Sequence, residues 1–292
     1  MFQIISDGSC DFSNEEVRKY EIDIVPFYIT FDQSTYLKEG IDITKDSYFN
    51  RLLTEKNLFP KTSQPNPQDY IDIYTPHLKE GKDIVSLTIS SKISGSYNSA
   101  VIAAEMLKDD FPDRNIAVID SESACIGQGL ILKEMVKMRN AGLSLDKTVE
   151  LTGKVLKTTR LYFTLDTLEY LKKGGRIGPT TALVGGILGL RPILQFLNGE
   201  VSQIDNVRGK KKALELMEEA AVEALRNEKD NVCVSVGHIL SEQDAAGFKM
   251  GLETELGIKV NEPIVEVGAT IGTHAGPGAF AFSYCKKYDS LT

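Results

Sequence analysis

"DIVSLTISSKISGSYNSAVIAAEMLK", residues 83–108, passes from an apolar stretch through a hydroxyl-rich turn into an Ala-rich stretch. The first seven residues read as a buried strand, and "NSAVIAAEMLK" reads as a helix. Seven hydroxyl side chains, counting Tyr97, fall within residues 88–100, where the strand should become the helix. The same unit recurs around this one. "FQIIS" is a strand, and Ser13 and Glu16 have the spacing of a capping box that opens "NEEVRKYE". "DIVPFYITF" reads as one strand and "KDSYFNRLL" as a helix. Asn66 and Pro67 give an N-cap with proline at the first helical position, starting a helix that ends near Gly81. "NIAVID" and "LILKEMVKM" repeat the pattern. Strands alternating with helices imply a parallel sheet covered by helices.

A helix from about Asp146 to Lys157 leads into a second part. There "RLYFTLD" is a strand, and "TLEYLKK" is a helix ended by Gly174 and Gly175. "ILQFLNGEVSQI" is a hairpin turning at Asn198-Gly199, the strongest local turn signal in the chain. A long helix, "KKALELMEEAAVEALRN", a strand, "NVCVSVGHI", and a helix, "EQDAAGFKMGLETEL", follow. The tail, "PIVEVGATIGTHAGPGAFAFSYC", reads as two short strands around a Gly-rich turn. The expected fold class is α/β with two domains. An N-terminal parallel-sheet (Rossmann-like) domain would span 1–155, and a C-terminal mixed-sheet α/β domain 156–292.

Composition bounds the function. The 292 residues are 42% apolar and 25% charged, as in a globular protein able to bury a sizeable core. A net charge of −8 argues against nucleic acid, because phosphate binding is mostly the work of Lys and Arg. "MFQIISDGSCDF" has no basic and apolar leader pattern, so a cytoplasmic protein is expected. Cys10, Cys125, Cys233 and Cys285 are widely spaced, without C-x-x-C or a zinc pattern. No G-x-x-x-x-G-K-[ST] occurs, and no G-x-G-x-x-G follows a strand, so neither a nucleotide site nor a metal or cofactor is expected.

Ligands of parallel α/β sheets bind beyond the carboxyl ends of the strands. Three hydroxyl-bearing turns should open on that edge: Ser6, Asp7 and Ser9; Ser90, Ser91, Ser94 and Ser96; Ser121 and Ser123. With helix-start N–H groups they would suit an anionic oxygen group without a fixed cation. The same serines are also ordinary N-cap residues. Ser94, Gly95 and Ser96 suggest a backbone that something approaches closely. Thr62 and Ser63 lie in a Pro-bounded loop, His274 in a Gly-rich frame, and Arg176 just past a helix end where phosphate or a protein partner could be met.

"SDGSCDF", "KTSQPNP", "SSKISGSYNSA", "VIDSESACIGQG", "YLKKGGRIG" and "IGTHAGPGAFAF", in this order from about residue 4 to 285, resemble motifs of the DegV family of bacterial lipid-binding proteins. The resemblance implies two α/β domains with a long-chain fatty acid between them. It implies a carrier rather than an enzyme: the fatty-acid-binding subunit of a fatty acid kinase. Such a subunit presents the acyl carboxylate to a separate ATP-using catalytic subunit, which makes acyl phosphate for phospholipid synthesis. Transient contact with a membrane surface would fit that role. Carried over by motif, Thr62, Ser63, Ser94, Gly95 and His274 form the carboxylate site, and Arg176 serves the partner or the phosphate transfer. The chain departs from the family pattern at Gly8, Ala275 and Arg191, and Ala275 puts a hydroxyl role at its position in doubt. The acyl tunnel could draw on "TALVGGILGL", residues 181–190, and on Phe280 and Phe282.

Two rivals stay open at this stage. A serine hydrolase would use Ser94 as nucleophile and His274 as base, although Lys92-Ile93-Ser94-Gly95-Ser96 lacks the leading glycine of a nucleophile elbow. A regulatory module would bind a small carboxylate other than a lipid.

Overall fold

Six consecutive buried residues, Phe2–Asp7, form β1 at the centre of a parallel sheet. The computed structural model describes residues 2–55, 58–178, 190–260 and 262–292. β2 (Ile22–Val25), β6 (Asp83–Thr88) and β7 (Ile116–Asp120) complete the first sheet in the order β2-β1-β6-β7. Every pairing in it is parallel. Helices α3 (Pro67–Lys79) and α4 (Ser96–Leu107) cover one face, where Tyr70, Tyr74, Ala100 and Ala103 pack on Ile5, Val25 and Ile84. α5 (Cys125–Asn140) and α6 (Leu145–Thr158) cover the other.

The second sheet is mixed and six-stranded. It contains β8 (Arg160–Thr164), β9 (Leu190–Leu197), β10 (Glu200–Arg208), β11 (Val232–His238), β12 (Val265–Glu266) and β13 (Phe280–Lys286). Their order is β10-β9-β8-β13-β11-β12, antiparallel except between β11 and β12. α8 (Lys210–Leu225) and α9 (Glu242–Leu256) pack on it, with the Phe248 ring 4.8 and 5.4 Å from Phe280 and Phe282. The protein is thus an α/β fold with a parallel and a separate mixed sheet. α6 carries the chain between them, and residue 155 lies in that helix. The C-terminal turn comes back to the first part: Tyr288 N–H donates to the buried Glu134 carboxylate at 2.8 Å.

Local signals behave as expected. Ser13 and Glu16 form their reciprocal cap, Asn66 and Asp69 form another, and the hairpin turns with Asn198 and Gly199 at φ 52° and 80°. Two expectations need correction. "DIVPFYITF" is not one strand. Pro26 has no N–H for a ladder, and the chain leaves β2 there to enter β3 (Tyr28–Thr30). β3 belongs to a small antiparallel sheet with β4 (Leu37–Lys38) and β5 (Lys61–Ser63), in the order β4-β3-β5. Thr62 and Ser63 therefore sit on a strand, not in a loop. The tail is not a turn between two strands either. Between β12 and β13 lies a helix, α10 (Ala269–Ala275), which carries His274. α2 (Lys45–Thr54) packs beside it, so closely that a Cβ on Gly272 would lie 2.7 Å from the Phe49 ring.

Candidate functional site

β5 presents alternate residues to one face, as any strand does, and Thr62, with Gln64 just past the strand's end, lines a cavity that Ser63 does not. The cavity and the open solvent at its mouth together take up about 890 Å³. Both parts of the chain line it. Ile89, Ile93 and Ala124 come from the first, and Leu161, Phe163, Leu165, Phe196 and Val201 from the second. Leu190 is the sole described residue of the 181–190 stretch suggested for the tunnel; the other nine lie outside the described residues. Phe280 borders the cavity and Phe282 does not.

The polar groups gather at one place. Thr62 Oγ1 and His274 Nε2 are 2.8 Å apart, and Ser94 and Arg176 line the same cavity. His274 reaches this point because Gly174 has no side chain: a Cβ there would lie 2.1 Å from His274 Nδ1. Burial and, secondarily, the Arg176 charge hold the imidazole down at about 4, so the ring is neutral near pH 7. Arg176 is half-buried. It donates from Nε to Ile93 O at 3.1 Å and from Nη1 to Gly174 O at 2.6 Å. It thus braces the residue before Ser94 and the glycine beneath His274. Arg176 thus sets a cation on the same wall as the Thr62 and Ser94 hydroxyls. Arg176 also lines an outer groove with Lys92, Gly175, Gly178 and Glu200.

Gly95 is not on the cavity wall. Its N–H donates to Gln64 Oε1 at 2.7 Å, and a Cβ on it would lie 2.3 Å from Gln64 Nε2. The close approach suggested by the small residues is therefore made by Gln64. Reasoning from sequence missed Gln64 as a wall residue, although its alternation with Thr62 was there to be read.

Two hydroxyls of these turns, those of Ser9 and Ser96, serve another carboxylate, one belonging to the protein. Asp7, fully buried at the tip of β1, accepts Ile89 N–H at 2.9 Å and Ser96 Oγ–H at 2.7 Å on Oδ2. Its Oδ1 accepts Ser9 Oγ–H at 2.5 Å and Gln128 Nε2–H at 3.0 Å. Ser6 donates to Leu87 O, and Ser90 reaches across to Gly199 O at the hairpin tip at 2.6 Å. Ser94 alone among these serines lines the cavity.

Distant carboxylates fix α10. Glu39 accepts the N–H groups of Ala269 and Thr270 at 2.5 and 3.0 Å, and Asp11 accepts that of Gly268 at 2.8 Å. Burial pushes the Asp11 carboxyl up to about 7. Tyr48 Oη and Thr273 Oγ1 close the other side at 2.8 Å. Hydrolase geometry does not assemble. His274 Nε2 faces Thr62 rather than Ser94, its Nδ1 has no carboxylate partner, and Ser94 Oγ accepts Ser96 N–H at 3.2 Å. A ring held near 4 is also a weak base. Among the described residues no group of three or more His, Cys, Asp or Glu is placed to hold a metal. No helix among them is long and apolar enough to cross a membrane.

Comparison with known proteins agrees over the whole length. A family model described as "uncharacterised protein, DegV family" matches residues 1–287. A DegV domain-containing protein of Caldanaerobacter subterraneus subsp. tengcongensis is 33% identical over 289 residues, covering 97% of this chain and 98% of the relative. A stearic acid-binding protein of Eubacterium ventriosum is similar in structure, with a TM-score of 0.94 at 34% identity and full coverage of both chains. A fatty-acid-binding DegV protein of Thermus thermophilus has a TM-score of 0.88 at 29% identity, covering 98% of this chain and 99% of its own. With a parallel and a mixed sheet closing on one cavity, and a family model that runs through both, the chain belongs to the DegV family.

Proposed function

We propose that this chain binds a long-chain fatty acid, with the alkyl tail in the cavity and the carboxylate at Thr62, Ser94 and His274. The observation that carries the reading is the 2.8 Å Thr62–His274 pair, set with Ser94 and Arg176 on an otherwise largely apolar wall. The fatty-acid-binding relatives that span the whole chain support the same ligand class. Burying methylenes is worth about 0.8 kcal/mol each, so a tail of about sixteen carbons offers on the order of 10 kcal/mol before ordering costs. A carboxylate taken out of water must be hydrogen-bonded. With the His274 proton on Nε2, Thr62 Oγ1 accepts from the ring and turns its own O–H toward the carboxylate. Ser94 O–H would serve the second oxygen.

In this reading the chain is a carrier that presents the carboxylate to a separate ATP-dependent fatty acid kinase subunit for acyl-phosphate formation in phospholipid synthesis. The absence of a phosphate-binding glycine motif from the sequence supports a nucleotide site on the partner. Arg176 stands between the cavity and the outer groove with Lys92, and the partner's phosphate or docking surface is assigned to that groove. Ser63 and Gly95, off the wall, would support the site through the backbone. The cytoplasm, with brief visits to the membrane surface, is the setting we infer.

Native mass spectrometry of protein purified from cells tests the ligand. A co-purifying mass of fatty-acid size is expected; an empty or nucleotide-loaded protein would overturn the reading. A neutral His274 adds a second expectation. Its folded-state pKa lies below the usual 6.5, so the ring gains its proton only as pH falls toward 4. Fatty-acid affinity should therefore be flat from pH 6 to 8. The measurement is made in Asp11→Asn, which removes the carboxyl that burial pushes up to about 7. Affinity that falls as pH rises through 6.5 would mean that a cationic histidine holds the ligand.

A further inference from the structure

We propose that the cavity prefers a long-chain fatty acid bearing a hydroxyl along its chain, and that Thr270 recognises that oxygen. The inference rests on the fatty-acid reading above and narrows it. Thr270 is the second residue of α10 and lies on the cavity wall. It is 3% exposed, and its Oγ1 has no hydrogen-bond partner among the described residues. Its backbone N–H is taken by Glu39 at 3.0 Å, but the hydroxyl is left over.

Position along the helix explains the orphan. A threonine further along can bond the carbonyl four residues back, as Thr273 does to Ala269 O at 2.8 Å. At the second position no helical carbonyl stands behind the side chain. Valine has the same shape and would bury no polar atom, so packing alone favours valine here. The flanking wall residues Val267, Ile271 and Ala275 are apolar. A hydroxyl kept in such a wall gains most when the ligand brings an oxygen to it.

His238 strengthens the case from the neighbouring strand. It lines the same cavity, and its Nδ1 accepts Ser241 N–H at 3.2 Å. Burial lowers its pKa, so the ring is neutral and, with Nδ1 accepting, carries its proton on Nε2. A donor from His238 and a hydroxyl from Thr270 together suit a ligand hydroxyl, which both accepts and donates. At about 1.5 Å per residue, Thr270 lies about 6 Å along the helix axis from His274. The recognised oxygen therefore belongs to the body of the acyl chain, several carbons from the carboxylate.

The test uses the full chain stripped of lipid, with displacement of a fluorescent fatty acid by stearate and by a positional series of hydroxystearates. At least one mid-chain isomer is expected to bind roughly fivefold or more tighter than stearate. Thr270→Val should abolish that preference and melt no lower than the wild type; Thr270→Ser should retain the preference. If the wild type favours no isomer over stearate, or if the preference survives in Thr270→Val, the inference is overturned. A clear drop in the melting temperature of Thr270→Val would likewise overturn it, because the hydroxyl would then be serving the fold. Failure of the wild type to bind stearate at all would instead overturn the fatty-acid reading.

Discussion

Thr62→Val is expected to weaken fatty-acid binding by roughly 10- to 100-fold, since a hydrogen bond to a charged group contributes about 1.5–3 kcal/mol and each 1.4 kcal/mol is tenfold. The substitution removes one oxygen and keeps the shape. Valine is also β-branched, so β5 keeps its fit beside Ile29 in the small sheet. Two losses add: the O–H that would meet the carboxylate, and the partner of His274 Nε2. Ser63→Ala is the control. Ser63 is the next residue on the same strand but is absent from the cavity wall, and its loss should change affinity by less than about threefold. Isothermal titration of stripped protein with stearate, beside thermal melts, separates binding from stability. Thr62→Val that binds within twofold of the wild type would remove Thr62 from the carboxylate site. Equal losses at Thr62 and Ser63 would point to the strand rather than the hydroxyl.

What the sequence made legible was local. Asn198-Gly199, the Asn66-Pro67 start and the Ser13/Glu16 box are decided by residues within four positions of each other, and each stands as read. α10 was illegible for the opposite reason. "ATIGTHA" is rich in poor helix formers, and its start is fixed by Glu39 and Asp11, more than 200 residues away. The cavity wall was hidden too, because Phe163, Leu165, Phe196 and Val201 have the pattern of core residues. Only the approach of two distant segments turns part of that core into a lining. Arg176 was placed outside the lipid site for the same reason: its position after Gly175 reads as a helix end, whereas its contacts with Ile93 and Gly174 draw it inward.

The hydroxyl-rich turns hold the clearest lesson and the second large effect. The donors of Ser9, Ser96, Gln128 and the Ile89 N–H surround a carboxylate of the protein itself, Asp7. Asp7→Asn should destabilise the protein by about 3–5 kcal/mol, an unusually large cost for a change of so few atoms. Each carboxylate oxygen receives a backbone N–H, Ser9 at 3.3 Å on Oδ1 and Ile89 at 2.9 Å on Oδ2. Hydroxyls can rotate to accept; backbone N–H groups cannot. Whichever way the asparagine amide is turned, its NH₂ therefore faces one fixed donor in a site without water access. Ser96 is held as well, taking the Tyr70 hydroxyl at 2.6 Å while donating to Asp7. The disturbance should therefore reach the start of α4 and, through Ser96 N–H, Ser94. Urea denaturation and thermal melts measure the effect, with a fall in melting temperature of roughly 10 °C expected. Fatty-acid binding should weaken along with it, since Ser94 loses its frame. A variant within 1 kcal/mol of the wild type would mean that the Asp7 network contributes little to stability.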